Sequence, residues 1–351
     1  MMSREPAEPV LRRLRSEPVL ATSEDLWECP VSGRAVAWKS HAVFNPAAVV
    51  HAESTVLLYR AQGPDLVSRL GLAWSRDGVE FRTEPEPVLF PDADEFAVYE
   101  RPRGCEDPRL IRSEGGDYIL TYTAYDGTTA RLCVATSKDL RTWQKHGPAF
   151  ALAHQGRYLD VWSKAGSIVG RREGESIVAT RILGRYWMYW NDLQMHVATS
   201  DDLIHWEPLE DPQTPHGLRC REGTEQLRVV LPTRHGSFDS ALVEPGAPAV
   251  IEDGRIWLVY NARNDHRFGD RALPDLTYFL AVAEFDESDP TRLIARSAEP
   301  MLSPSEEYER TGQVNDVVFT EGMVPATGGW RLYYGAGDSA VGVAQLDFNQ
   351  P

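Results

Sequence analysis

Two adjacent acids in the stretch GCEDPRLI, residues 104–111, are well suited to chemistry. Glu106 and Asp107 are followed at once by Pro and Arg, and unpaired charge of this kind is too costly to bury inside a strand. Glu244 and Glu321 stand in two further polar phrases, VEPGAP and FTEGMV. Cleavage of a glycosidic bond uses a pair of carboxyl groups, one as proton donor and one as base or nucleophile. The spacing does not say which two of Asp107, Glu244 and Glu321 would face such a bond.

The element that must position these acids is a repeated β-unit. Five aromatic and β-branched segments resemble one another: TVLLYRAQ, YILTYTAYDG, RYWMYWND, RIWLVYNARN and WRLYYGAGD. They recur about every 70 residues, which is typical of a β-propeller with four-stranded blades. The sequence therefore predicts an all-β chain with one domain over residues 1–351, a five-bladed β-propeller with its active site at one end of the central channel. Residues 1–40 are expected to be an N-terminal extension that closes the ring by pairing with the last blade.

A second phrase follows three of these segments: LGLAWSRDGVEF, LCVATSKDLRTW and MHVATSDDLIHW. Its acids and tryptophans are chemically rich, but a feature repeated from blade to blade favours structure over function. Asp139 and Asp202 are expected to close hairpin turns, and Trp143 and Trp206 to pack between blades.

Function is expected where the repeats differ, at the polar ends of the aromatic strands. These residues are predicted to converge on one funnel: Arg60, Tyr125, Asp126, Asp192, Asn261, Arg263 and Asp338. The non-repeating phrases, among them VFNPAAVV, GCEDPRLI and VWSKAGSIV, are expected to form the outer wall of that funnel. Carboxylates, amides and aromatic rings in this mixture favour a neutral, hydroxyl-rich ligand. A structural alternative stays open, in which Asp107 and Arg109 merely close a turn through a salt bridge.

Composition excludes several classes of function. The 52 acidic against 36 basic residues give a formal charge of -16, which would repel a nucleic-acid backbone. The four cysteines are scattered without metal-ligand spacing, so neither a metal site nor a disulfide framework is predicted. The N-terminus lacks the apolar core of a signal peptide, and no run approaches the length of a membrane span. A soluble cytoplasmic protein without membrane contact is expected.

Several motifs from about residue 40 to the C-terminus together resemble glycoside hydrolase family 130, the β-mannoside phosphorylases and β-1,2-mannosidases. They occur in the family's order: FNPAAV, LLYRA, GCEDPRL, YTAYDG, KAGSIV, ATSDDLIHW, EPGAP and LYYGAGDS. The resemblance implies a five-bladed propeller and an inverting enzyme. It makes Asp107 the general acid, which would deliver its proton through a sugar hydroxyl. Asn45, Arg60, Lys164 and Asp338 match positions that line the mannose or neighbouring pocket, and Arg109 follows the acid; Glu106 is assigned to substrate binding with them.

One departure from the family separates two reactions. Phosphorylases of the family carry a Tyr-His-Gly phrase whose His helps to hold phosphate, whereas this chain reads VYNARN, with Asn261 in that place. The expectation is therefore a hydrolase of β-1,2-linked mannosides, with Glu244 as the favoured base and Glu321 as its rival.

Two other functions stay open. A phosphorylase that releases mannose 1-phosphate would need Lys164, Arg109 and Arg263 as a different phosphate cradle. A non-catalytic sugar-binding propeller would use the same acids only to hold hydroxyls. The expected partner is a small oligosaccharide and no cofactor is expected, phosphate being a co-substrate only of a phosphorylase. The sequence does not decide whether the chain forms a homo-oligomer.

Overall fold

In a computed structural model, which describes residues 9–211 and 218–348, the chain is built almost entirely of β-strands. Three short strands come first: β1 (Val10–Arg13), β2 (Trp27–Cys29) and β3 (Arg34–Val36). Within the described residues, the strands that follow form five successive, mainly antiparallel groups, which we call blades 1 to 5. Short helices occur between blades: α1 (Ala97–Glu100), α2 (Glu307–Arg310) and a 3-10 turn (Ala153–Gly156).

The blades follow one another along the chain. Blade 1 contains β4 (Ala42–His51), β5 (Ser54–Gln62), β6 (Ser68–Ser75) and β7 (Arg82–Leu89). Blade 2 contains β8 (Gly104–Arg112), β9 (Tyr118–Tyr125), β10 (Ala130–Ser137) and β11 (Gln144–Pro148). Blade 3 contains β12 (Ser167–Glu173), β13 (Ser176–Ala179), β14 (Tyr186–Trp190), β15 (Met195–Ser200), β16 (Trp206–Pro208) and β17 (Val229–Leu231). Blade 4 contains β18 (Leu242–Pro245), β19 (Ala249–Glu252), β20 (Arg255–Arg263), β21 (Tyr278–Asp286) and β22 (Asp289–Arg296). Blade 5 contains β23 (Val318–Ala326), β24 (Gly329–Ala336) and β25 (Ala340–Asp347).

The N-terminal strand completes the last blade. β1 pairs antiparallel with β25, so that Val10 lies opposite Asp347 and Arg13 opposite Ala344. This is the ring-closing pairing expected from the sequence. It joins the two ends of the described chain and covers an edge that would otherwise present unpaired backbone groups.

The centre of the fold is lined by different strands from those predicted. The non-repeating phrases form the first strand of each blade, and these first strands contact one another across the centre, as where β12 runs parallel to β19. Their small residues allow this approach: a Cβ on Gly322 would lie 2.4 Å from the backbone nitrogen of Ala48. The bulky aromatic strands each pair with the first strand of their blade. One tyrosine ring in each is fully buried: Tyr59, Tyr122, Tyr189, Tyr260 and Tyr333. The aromatic strands, whose polar ends are predicted to converge on the funnel, therefore lie one strand out from the centre.

The repeated turn phrases are structural, as predicted. Asp139 accepts hydrogen bonds from two backbone N–H groups of its own turn, each 2.8 Å long, and Trp143 Nε1 donates to the carbonyl of Leu140. Asp202 and Trp206 repeat the arrangement in blade 3. These acids hold hairpin turns between strands and do not face the centre.

The four cysteines are free thiols. Among the described residues, no helix is both long enough and apolar enough to cross a membrane.

Candidate active site

Three of the first strands carry a β-bulge at a polar residue. Register shifts occur at Asn45 in β4, at Asp107 in β8 and at Glu321 in β23. Asn45 and Asp107 have φ angles of 48° and 50°, a left-handed conformation that Asn and Asp tolerate better than most residues. A bulge turns the side chain out of the regular alternation of its strand. The innermost strands can therefore present polar groups to one another instead of hiding them in the sheet.

Asp107 is the centre of this group and is 4% exposed. Asn45 Nδ2 and Arg60 Nη1 donate to Asp107 Oδ1 at 3.0 and 2.8 Å, and Lys164 Nζ donates to Oδ2 at 3.3 Å. Burial alone would raise the pKa of Asp107, but the positive charges of Arg60 and Lys164 and the bond from Asn45 hold it below its ordinary value. Asp107 is therefore a carboxylate in the free protein at neutral pH.

Arg109 is a buried clamp between blades 2, 4 and 5. Its Nε and Nη2 donate to the carbonyls of Gly246 and Pro245 at 2.9 and 2.7 Å. Nη2 also lies 3.3 Å from Glu244 Oε1, and Nη1 lies 3.3 Å from Glu321 Oε1. All three nitrogens thus contact the protein itself, and the residue is 2% exposed. Arg109 therefore positions the two glutamates, and a direct contact with substrate or phosphate stays a prediction.

The clamp brings the three predicted catalytic acids together. One carboxylate oxygen from each of Asp107, Glu244 and Glu321 lies within 4.8 Å of the others, and all three residues are buried. Lys164 links two of them, because its Nζ lies 3.6 Å from Glu244 Oε1 as well as against Asp107. Residues from blades 2, 4 and 5 therefore share one electrostatic environment, and their protonation is coupled.

The two glutamates differ from Asp107 in protonation. Burial raises the pKa of Glu244 to about 7, although Lys164 and Arg109 act to lower it. Burial raises the pKa of Glu321 well above its ordinary value, and neither of its oxygens has a hydrogen-bond partner among the described residues. Burial therefore favours the protonated form of Glu321, and Glu244 titrates close to neutrality.

Further predicted residues surround the first acid. Arg60 Nη2 donates to Glu106 Oε1 at 2.7 Å, and Ser68 Oγ donates to the same oxygen at 3.2 Å. Burial raises the pKa of Asp338 to about 6; Arg60 opposes the rise, and the charges of Asp107 and Glu106 add to it. Asp338 thus lies within electrostatic reach of this group, on the blade 1 and blade 5 side of the site.

Asp126 does not join the site. Its Oδ1 accepts from the backbone nitrogens of Thr128 and Thr129 at 2.7 and 2.8 Å, and Arg131 Nη1 donates to Oδ2 at 2.6 Å. Both oxygens therefore serve the turn between β9 and β10, and a contact of Asp126 with substrate stays a prediction. Tyr125, the residue before it, donates its hydroxyl to a backbone carbonyl of the same turn.

Asn261 is also structural. It is fully buried, its Nδ2 donates to the carbonyl of Thr320 at 3.0 Å, and its Oδ1 accepts from the Thr320 nitrogen at 2.8 Å. This reciprocal pair fixes β23 immediately before Glu321. Both ends of its amide hold a neighbouring strand, and a contact between Asn261 and a ligand stays a prediction.

The remaining two strand-end residues lie beside the acids in partnership with aromatic rings. Asp192 accepts hydrogen bonds from Arg221 and from the indole of Trp162. Arg263 lies over the ring of Tyr278, 5.2 Å from its centroid. Burial raises the pKa of the Tyr278 hydroxyl, with Asp338 and Glu244 among the groups that raise it further, so this ring lies near the carboxylates.

Sequence reasoning missed Ser68, Trp162, Arg221 and Tyr278. Trp162 carried a signal, because it stands two residues before Lys164 in the non-repeating phrase VWSKAGSIV. Arg221 carried none, since its contacts depend on how a long segment between β16 and β17 folds back.

The three clustered carboxylates are the described residues that could hold a metal ion. Arg109 and Lys164 already bring two positive charges against them, which disfavours a further cation. The expectation of no metal and no cofactor stays a prediction.

The chain is similar to known proteins along nearly its whole length. The family model for glycoside hydrolase family 130, described as beta-1,4-mannooligosaccharide phosphorylase, matches residues 2–350. A 1,2-beta-oligomannan phosphorylase of Thermoanaerobacter sp. (strain X514) is 29% identical over 96% of this chain and 97% of its own length.

Two solved structures are more similar in sequence. A putative glycosidase from Bacteroides thetaiotaomicron is 40% identical, covers 95% of both chains and has a TM-score of 0.89. A second structure is described by the words "The GH130 family of mannoside phosphorylases contains glycoside hydrolases that target beta-1,2 mannosidic linkages in Candida mannan". It is 39% identical, covers 96% of this chain and 94% of that one, and has a TM-score of 0.90. The predicted fold class, an all-β five-bladed propeller, is confirmed by this likeness.

Proposed function

The chain belongs to glycoside hydrolase family 130, and from that premise we propose that it hydrolyses β-mannosides, most readily short β-1,2-linked ones, with inversion. The observation that carries the proposal is the cluster of Asp107, Glu244 and Glu321, whose oxygens lie within 4.8 Å of one another. Asp107 is the general acid for the leaving oxygen. Glu244 is the base that takes a proton from the attacking water.

Electrostatics favour water over phosphate as the second reactant. Five carboxyl groups meet at the site, against three cations that already pair with them: Glu106, Asp107, Glu244, Glu321 and Asp338 against Arg60, Arg109 and Lys164. A phosphate ion placed here would find these three cations already paired with carboxyl groups, and each ionised carboxylate among them would repel it. Water carries no charge and can be deprotonated by Glu244.

The acids lie closer together than is usual for an inverting enzyme, so the proton must reach the glycosidic oxygen by an indirect route. A directly acting inverting pair stands about 6.5–9.5 Å apart, whereas nucleophile and acid of a retaining pair stand about 5–5.5 Å apart. Asp107 and Glu244 approach more closely than the inverting range. A relay through a sugar hydroxyl, which the family resemblance implies, removes this conflict, because the acid then need not reach the glycosidic oxygen itself.

The first test is incubation of the protein with β-1,2-mannobiose in the presence and absence of phosphate. We expect free mannose at the same rate in both samples, and the mannose from the non-reducing unit should appear first as the α-anomer in a proton NMR time course. Mannose 1-phosphate that appears only with phosphate would contradict hydrolysis. β-Mannose formed first from the non-reducing unit would contradict inversion, whereas the reducing-end unit leaves as a mixture of anomers in either case.

The rate is expected to fall as pH rises above about 7. The reaction needs one proton on the pair of Asp107 and Glu244, because the acid must give one while the base must be free to accept one. In the free protein this proton rests mainly on Glu244, whose pKa is raised to about 7, and the form with Asp107 protonated is the minor arrangement of the same proton. Above pH 7 the pair loses its last proton, so kcat/KM should decline about tenfold for each further pH unit.

Measurement of kcat/KM between pH 5 and 9 checks this expectation. A profile that rises through pH 7 to an alkaline plateau would contradict it, since such a profile would require both groups to be ionised. Phosphate-free zwitterionic buffers and constant ionic strength keep the comparison free of anion effects.

Phosphorolysis is the second candidate function, and one observation favours it besides the relatives named as phosphorylases. Arg263 Nε is buried without a hydrogen-bond partner among the described residues, and its side chain lies over Tyr278 near the carboxylates. Arginine forks bind phosphate well. If mannose 1-phosphate appears in the incubation, Arg263 is the first residue to replace.

A further inference from the structure

We propose that Arg221, held by Asp192 and Trp162, binds the second sugar unit of the substrate and so selects oligosaccharides over simple mannosides. This inference rests on the proposed function, in that it takes a mannoside as the ligand. It concerns a part of the site that contributes nothing to proton transfer.

Trp162 and Lys164 face the same side of the chain. Ser163, between them, faces blade 2, because its nitrogen donates to the Ala130 carbonyl at 2.9 Å and its Oγ accepts from the Leu132 nitrogen at 3.0 Å. Lys164 reaches Asp107, and Trp162 bonds to Asp192, whose charge acts on Lys164, so the Trp162 ring lies on the same side as the acids.

Asp192 joins this ring to the catalytic acids. Trp162 Nε1 donates to Asp192 Oδ1 at 3.2 Å. Burial would lower the pKa of Lys164, but the charges of Glu244, Asp107 and Asp192 raise it. Asp192 therefore lies within electrostatic reach of Lys164 and Glu244, at the edge of the site.

Arg221 completes the assembly from the long segment between β16 and β17. Its Nε and Nη2 donate to Asp192 Oδ1 and Oδ2 at 3.0 and 2.5 Å, and its guanidinium lies 4.5 Å from the centroid of the Trp162 ring. Both Asp192 oxygens are thus used inside the protein. Asp192, predicted to bind substrate, is a positioning residue in this arrangement.

The geometry leaves one edge of the guanidinium available. No described residue accepts a hydrogen bond from Arg221 Nη1, and the side chain is 36% exposed. The guanidinium of Arg221 is already held in place by Asp192 and Trp162 before a ligand binds. Little conformational entropy is therefore lost when it donates a hydrogen bond to a sugar hydroxyl. The negative charge of Asp192 balances the positive charge of Arg221. The pair is therefore neutral overall, which suits an uncharged pyranose better than an anion.

The test is a binding titration, so that it does not depend on whether water or phosphate is the second reactant. Mannose and β-1,2-mannobiose are titrated calorimetrically into Asp107→Asn protein, with and without the additional change Arg221→Ala. We expect the Kd for mannobiose to rise about tenfold or more, as for loss of a hydrogen bond to a charged donor, and the Kd for mannose to change less than about twofold.

A matched control separates this role from general damage to the segment. Arg228→Ala removes another arginine of the same segment, which is 40% exposed and 4.0 Å from Asp211, and should leave both dissociation constants unchanged. Equal melting temperatures of the variants establish that each one folds. Equal weakening of mannose and mannobiose, or no weakening of either, would overturn the inference. Loss of selectivity in a protein that releases only mannose 1-phosphate would support it while contradicting the proposed hydrolysis.

Discussion

Replacement of Asp107 by Asn is expected to lower kcat for β-1,2-mannobiose by more than about a hundredfold, within the range that a general acid contributes. Asn cannot donate a carboxyl proton, so the leaving sugar would depart as an alkoxide. The change is otherwise conservative, because Asn also tolerates the left-handed φ of 50° at this bulge and can accept the bond from Arg60. Steady-state rates at neutral pH, together with the melting temperature, measure the effect.

An activated substrate makes the Asp107 experiment specific. A dinitrophenyl β-mannoside has a leaving group that needs no proton, so the variant should lose much less activity on it than on mannobiose. Asp139→Asn is the matched control, since Asp139 only closes a turn and Asn closes turns equally well. Turnover of mannobiose above about a hundredth of the parent rate would show that another group is the acid.

Replacement of Glu244 by Gln is expected to lower kcat by about a hundredfold to ten-thousandfold, whereas Glu321→Gln should lower it less than about tenfold. Glu244 titrates near pH 7 and can therefore be free to accept the proton of water. Burial raises the pKa of Glu321 and so favours its neutral form, which a neutral amide of the same shape resembles. Each glutamine variant is the control for the other, because both glutamates contact Arg109 and each variant keeps that contact in altered form.

Rates of mannose release by the two glutamine variants decide between the rivals. The reverse order, with Glu321→Gln the more damaging, would make Glu321 the base and would require its proton to leave on substrate binding. Comparable losses in both would point to a shared role in holding the water. Unchanged rates in both would remove water activation from this cluster altogether.

Much of the arrangement could be predicted from the sequence. The repeated aromatic strands indicated the propeller, and the Asp turns at Asp139 and Asp202 were recognised as structural because they recur in each unit. The non-repeating acids Asp107, Glu244 and Glu321 were singled out, and they do lie together. Residues that differ between otherwise similar blades indicate function, because the residues that every blade needs for its structure are repeated.

Three predicted site residues already have hydrogen-bond partners within the protein, which the sequence did not indicate. Asp126 bonds within its own turn, Asn261 bonds to a neighbouring strand, and Arg109 bonds to backbone carbonyls of blade 4. A strand end fixes where a residue lies along its own blade, but not which hydrogen-bond partner in the next blade reaches it first.

The sequence by itself determined the fold class and the set of acids that could transfer protons, because these follow from residue types and their periodic spacing. It determined the family through motifs that resemble those of known members. The tertiary structure decided what each acid can do. Asp107 is held as an anion by Arg60 and Lys164, while burial gives Glu244 and Glu321 higher pKa values. Those differences arise from desolvation and from charges only a few ångströms away on other blades, and such distances exist only once the ring has closed.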